Sequence, residues 1–245
     1  MIIFSIFVNI NSPQMDKERT IRGIEILVSS ALFLIIIYAL YLRFLPDEET
    51  FQQLVREDGF VEYTTVVFLL FACIICIWRA FSYRSVKNNL GVLTWALLAF
   101  LFFFAAGDEI SWGQRIFGIE SSEFFLKHNK QAETNLHNLV IGGHSVNKII
   151  FSRLLFLVLS IYFLFWKPLV LKVPAIRKLN DKFCVPLPRL HHIIVIVAVT
   201  LMILLIGMYR DSELHELSFA MIFFLIFLNP AKLPGEESQH GAVDS

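Results

Sequence analysis

The sequence predicts an all-α fold: a polytopic membrane bundle of six transmembrane helices with both termini in the cytoplasm. Three observations predict it. Hydrophobic residues make up 56% of the chain and charged residues only 17%, with 25 Phe among 245 residues, outside the balance of ordinary soluble domains. The apolar residues fall in blocks long enough to cross about 30 Å of hydrocarbon as helix, and they do not alternate as strand residues do. Between the blocks, basic and acidic connections take turns, as the positive-inside rule expects of a chain that threads back and forth. The formal net charge is zero, so no global basic field points to nucleic acid.

Residues 1–10 are apolar but too short to span, and no basic region precedes them, which speaks against a signal peptide. Met15, followed by Asp16, Lys17, Glu18 and Arg19, is the expected true start, and residues 1–23 are expected to be a cytoplasmic segment. The first span is Ile24 to Leu42, followed by an acidic linker with Glu48, Glu49, Glu57 and Asp58. The second, Val61 to Trp78, opens on a polar turn with Glu62, and a basic loop (Arg79, Arg84, Lys87) leads to the third, Leu90 to Ala106. Cys73 and Cys76 form a C-x-x-C inside the second span, where thiols read as small hydrophobes and not as a redox pair.

The outer loop 107–148 follows. In it Ser121-Ser122-Glu123 is an N-cap pattern for a short helix to about Lys127. A second helix is expected from Gln131 to Leu139, broken by Gly142-Gly143 before the fourth span, Ile149 to Trp166. A long basic loop with Lys167, Lys172, Arg177, Lys178, Lys182 and Arg189 separates it from the fifth span, Ile193 to Met208. A tight turn from Arg210 leads to the sixth, Leu217 to Leu228. The transmembrane domain thus covers 24–229, and residues 230–245 read as a disordered cytoplasmic tail.

Chemistry concentrates between Gly107 and Asn138. Asp108 and Glu109 sit where the third span leaves the bilayer, and Ser111, Trp112, Gln114 and Arg115 are expected to prolong that helix by about two turns. His128, Asn129, Gln131, Glu133, Asn135, His137 and Asn138 follow. A carboxylate at the edge of hydrocarbon is partly desolvated and suits acid–base work, so Glu109 is the leading candidate base. Glu133 and His137 are four residues apart and would share a helix face, to hold a metal or to orient the imidazole. The plainer readings are a carboxylate pair solvated in the headgroup layer and a loop tied by its own asparagines. No H-E-x-x-H or paired C-x-x-C spacing is present, so neither metal nor cofactor can be assigned. Arg153, inside the fourth span, needs a carboxylate or a phosphate. His215-Glu216 reads as a helix cap and dipole partner, and His191-His192 as interfacial.

Glu57-Asp58-Gly59 with Glu62, then Gly107-Asp108-Glu109-Ile110-Ser111-Trp112-Gly113-Gln114-Arg115, then Asn129, Gln131, Glu133, Asn135, His137 and Asn138 carry a resemblance. This set resembles the recurring pattern of a family of bacterial multi-pass membrane proteins. The resemblance covers spans two to four and implies a shared site, with no particular activity. Asp108-Glu109 and Phe124-x-x-x-His128 are also similar to motifs of the CAAX-processing glutamic intramembrane proteases, although the third motif of that group is absent. Asp108, Ser111 and His215 loosely resemble the zinc site of alkaline-ceramidase-like hydrolases, without its closing H-x-x-x-H.

The expectation is therefore a bacterial inner-membrane protein with an extracytoplasmic polar site. It would be a hydrolase or transferase acting on a lipid-linked or amphiphilic substrate in the bilayer. Glu109, Asp108, Glu133 and His137 would be catalytic, with Arg153 or Arg115 as anion clamp and Glu62, Trp112 and Gln114 against substrate. The alternatives are a non-enzymatic assembly factor or transporter subunit with a structural polar plug, and a glutamic-protease-like enzyme.

Overall fold

The computed structural model describes residues 14–45, 48–136, 138–142, 144–145 and 155–233. Among these the chain is mostly helical. Helix α1 (Gln14–Arg43) leads through the short α2 (Glu48–Leu54) to α3 (Phe60–Ser85) and α4 (Asn89–Glu109). A 3-10 turn (Ser111–Gly113), α5 (Gln114–Phe117), α6 (Glu123–His128) and a hairpin of β1 (Val140–Ile141) on β2 (His144–Ser145) make up the loop after α4. Helix α7 (Leu155–Ser160) then widens into a π-helical stretch (Ile161–Trp166) and continues as α8 (Lys167–Lys172). Helices α9 (Pro174–Phe183), α10 (Leu190–Ile206) and α11 (Ser212–Leu228) complete the described chain.

The bundle is built around α11. Its buried residues include Leu214, Leu217, Ala220, Met221, Ile222, Leu225 and Phe227, which cover most of its circumference, and Phe219 and Phe223 on the remaining side are half-buried. A helix that is apolar all round belongs inside. It packs mainly on α3, and also on α1 and α10, while α3 and α4 form the closest antiparallel pair. Phe227 meets Trp95 and Phe102 of α4 with ring centroids 5.6 and 5.0 Å apart. One turn earlier, Phe223 meets Phe163 of the π-helical stretch at 5.6 Å. Edge-on and tilted rings at these separations add attraction to the area they bury.

The outward faces are apolar as well. Leu34 of α1, Phe100 of α4 and Leu205 of α10 are 67%, 66% and 72% exposed. A belt of this kind is the surface of a membrane-embedded protein. Among the described residues, three helices are long and apolar enough to cross a bilayer: Asp16–Arg43, Phe60–Ser85 and Asn89–Glu109. A fourth crossing is added if Leu157–Lys172 and Pro174–Phe183, bent by 112° at their junction, count as one span. Helices α10 and α11 have 17 residues each, about 25 Å of rise.

Several local expectations are corrected. The helix of the third span does not run on through Arg115: Ser111 and Trp112 have φ of +48° and +56°, so the chain turns sharply after Glu109. The polar stretch 131–136 is not helical but a run of turns and bends, closed by a bridge between Asn129 and Leu139. The basic loop after the fourth span is largely helix (α8 and α9), and the acidic linker contains α2. The N-cap pattern does start a helix at Glu123, although Ser122 makes no side-chain cap bond. Cys73 and Cys76 are buried free thiols on α3, in line with a packing role. Residues 1–13, most of the tail, His137 and the first part of the fourth span lie outside the described residues.

Candidate functional site

Carboxylates from three helices meet at one end of the bundle. Helix α4 delivers Glu109 as its last residue. Helix α11 delivers Glu213 and Glu216 from its first turns, three residues apart and therefore on one face. Carboxylate oxygens of these three residues all lie within 4.8 Å of one another. Glu62, in the first turn of α3, is close enough to act on Glu109 electrostatically. It is 5% exposed and accepts the Asp58 N–H at 3.0 Å.

Arg210 closes one side of this cluster. Its Nη1 donates to Glu57 Oε1 at 2.9 Å and its Nη2 to Glu213 Oε1 at 3.1 Å. Burial works against its charge, but Glu213 and Glu57 outweigh that and hold the guanidinium above its ordinary range. Next to it, burial raises the Asp211 carboxyl above the usual aspartate value.

Three carboxylates this close repel by on the order of 3 kcal/mol per ionised pair at an effective dielectric of about 20. The arrangement is tolerable when a proton or a cation is shared. A proton held between Glu109 and Glu216 would serve, since two carboxylates offer only acceptors. Chemically, the cluster can take up and release a proton, or ligate a hard divalent cation through oxygen.

The loop after α4 forms a second network. Ser111 donates to Glu133 Oε2 at 2.5 Å, and Asn135 Nδ2 donates to Ser111 Oγ at 2.8 Å and to Glu133 Oε2 at 3.2 Å. Asn129 Nδ2 donates to Asn135 Oδ1 at 2.8 Å, while its own Oδ1 accepts the Gln131 N–H at 2.9 Å. Asp108, 5% exposed, accepts the Leu136 N–H at 2.6 Å. Gln114 staples the loop from the other side, with Oε1 accepting the Thr134 N–H at 2.8 Å and Nε2 donating to Ser121 at 2.6 Å. Gln131 links the network to Glu57, and so to Arg210.

The candidates from the sequence therefore divide. Glu109 and Glu62 join the carboxylate cluster. Asp108, Glu133 and Gln114 belong to the loop network. Trp112 folds back on α4, its ring 5.3 Å from Phe104 and so close to Gly107 that a Cβ there would lie 2.7 Å from it. Arg115 lies in α5. His128 is exposed and stacks on Phe124 at 4.7 Å, with Nδ1 against the Phe124 carbonyl. His137 and Arg153 lie outside the described residues.

Glu213, Glu216, Glu57 and Arg210 are participants that the sequence did not single out as catalytic or binding residues, although Glu57 belongs to the resembling set. The three-residue spacing of Glu213 and Glu216 at a helix start was the available signal. A second missed constellation lies at the other end of the bundle. Buried Glu25 of α1 accepts from Nε2 of His191 and of His192, each at 3.2 Å, and from Asn229 at 3.0 Å. His192 Nδ1 faces the Arg189 N–H at 3.3 Å, so its lone pair is already engaged. A metal-bound histidine normally donates from its second nitrogen, so this trio reads as a clasp joining α1, α10 and the end of α11.

No family model matches this chain, and neither curated proteins nor solved structures yield a match.

Proposed function

We propose that this is a six-span bacterial inner-membrane enzyme, with both termini cytoplasmic and the carboxylate cluster facing outward. The reaction is a hydrolysis or group transfer on a lipid-linked or amphiphilic substrate. Glu109 acts as general base, and Glu216 and Glu213 set its proton load. Arg210 holds Glu57 and Glu213 in place, leaving Arg115 and Arg153 as candidates to clamp an anionic substrate group. The observation that carries this reading is the convergence of Glu109, Glu213 and Glu216 within 4.8 Å at the end of an apolar bundle. Crowded carboxylates cost folding energy, and a site retained at such a cost is characteristic of acid–base chemistry. The acidic end also suits the outer side, because the opposite connections carry the basic residues.

A second reading, a non-enzymatic assembly factor or transporter subunit, is favoured by the loop network. Ser111, Glu133, Asn135 and Asn129 bond to one another as a structural plug would.

Lipid extracts of a deletion strain, compared without preselection against the parent, separate the two. The enzymatic reading expects one lipid-linked species to accumulate, and expects Glu109→Gln and Glu216→Gln proteins, inserted at normal levels, not to clear it. Full restoration of the parental profile by both variants would contradict it.

A further inference from the structure

Away from the carboxylates, helix α9 leaves the preceding helix at 112°. The cause is local: Val173 is extended and Pro174 occupies the first helical position, where a missing N–H costs nothing. One face of α9 is anchored. Ile176 packs on the small cluster of Val170, Leu187 and Leu233. Asn180, 4% exposed, accepts the Trp166 indole N–H at 3.0 Å. Beyond its end, Cys184 Sγ meets Asn88 Nδ2 at 3.1 Å, which ties α9 to the turn between α3 and α4.

The other face is open and basic. Lys178 and Lys182 are exposed, with Leu179 between them 48% exposed and Lys172 just before the bend. The α3–α4 turn, to which α9 is tied, contributes exposed Arg84 and Lys87. Against these five cations stands one exposed carboxylate on α9, Asp181. Apolar side chains begin at once beside them: Phe81 is 61% exposed and Leu171 49%. An exposed leucine among lysines, on a short helix turned across the bundle axis where the apolar belt ends, is the pattern of a helix lying in a headgroup layer.

We propose that α9, with the α3–α4 turn, forms an anionic-phospholipid surface in which Leu179 enters the acyl boundary and Lys172, Lys178 and Lys182 engage lipid phosphates. A helix and a turn far apart in sequence thus make one basic platform, and charge complementarity selects its occupant. The proposal rests on the bundle being bilayer-embedded, and the experiment tests that separately.

The full chain carrying Cys184→Ser is placed in nanodiscs of phosphatidylcholine, with or without phosphatidylglycerol. A nitroxide is attached at Leu179→Cys or, as a control, at Leu97→Cys on the exposed face of α4. Depth is read from collisions with oxygen against a water-soluble nickel chelate, and bound lipid by mass spectrometry. The Leu97 label should be deep in both discs. The Leu179 label should sit at the acyl boundary, and phosphatidylglycerol should be enriched around the protein on the order of tenfold. Lys172→Gln, Lys178→Gln and Lys182→Gln together should remove most of the enrichment, the remainder being due to Arg84 and Lys87, and leave the Leu97 depth unchanged. A water-exposed Leu179 label beside a deep Leu97 label overturns the proposal. So does shielding of the Leu179 label that disappears when residues 234–245 are removed, since the acidic tail would then be the occupant. A shallow Leu97 label would instead refute the embedded bundle itself.

Discussion

Asn135 has both ends of its amide engaged: Nδ2 binds Ser111 and Glu133, and Oδ1 accepts from Asn129 and from the Asn138 backbone. It is 2% exposed, so removing the amide strands partners that water cannot easily reach. Asn135→Ala should cost about 1–3 kcal/mol, read as lower thermal stability of the purified protein, whereas Gln131→Ala on the exposed rim should cost less. The composition of this segment was legible in the sequence, but its conformation was not. Glu133 and His137 at helical spacing suggested one helix face. In the structure Asn129 and Asn135 satisfy neighbouring backbone groups through their side chains, the competition that disfavours these residues in helix interiors. Likewise, Ser111 and Trp112 adopt the left-handed region in a context that local pattern does not reveal.

At the scale of elements, α11 is the central support. Met221 is 1% exposed and faces the packed interior, whereas Leu97 on α4 is 58% exposed. Met221→Ala should destabilise by about 2–5 kcal/mol, and Leu97→Ala by no more than about 0.5 kcal/mol. Thermal unfolding in one detergent compares them, and equal losses would contradict the central placement of α11. The helices themselves were readable because long apolar runs without proline leave the backbone few other ways to satisfy its hydrogen bonds. Which run was innermost was not readable, since α10 is the more apolar by pattern, yet α11, with Glu213, His215 and Glu216 in its first turns, is the one its neighbours enclose. The fate of the 167–189 connection was hidden for a related reason. Its prolines read as loop punctuation, whereas Pro168 and Pro174 in fact begin α8 and α9.

Across the whole molecule, charge is sorted to two ends. Glu62, Glu109, Glu213 and Glu216 gather at one, and Arg84, Lys87, Lys178 and Lys182 at the other. The orientation proposed from this sorting has a direct check. With Cys184 replaced by Ser, cysteines at Ser85 and Lys178 should resist a membrane-impermeant thiol reagent in intact cells, and one at Ser122 should react. The reverse pattern would place the carboxylates in the cytoplasm. The sequence brought the acidic connections to one side, but their convergence on Glu109 is a tertiary fact. It depends on α11 packing between its neighbours: the three-residue spacing puts Glu213 and Glu216 on one face but does not say that this face meets Glu109.

On the proposed function, these carboxylates are crowded for use and do not serve as structural glue. Thermal stability of Glu109→Gln, Glu216→Gln and the double variant, in nanodiscs at neutral pH, tests this most directly. Each single variant relieves like-charge repulsion and should unfold about 2–4 °C higher, the shift that ~1 kcal/mol produces in a chain of this size. The double variant should gain less than the sum, because both changes relieve the same repulsion. A fall in unfolding temperature for both single variants would mean that the cluster holds the bundle together, and would contradict the account.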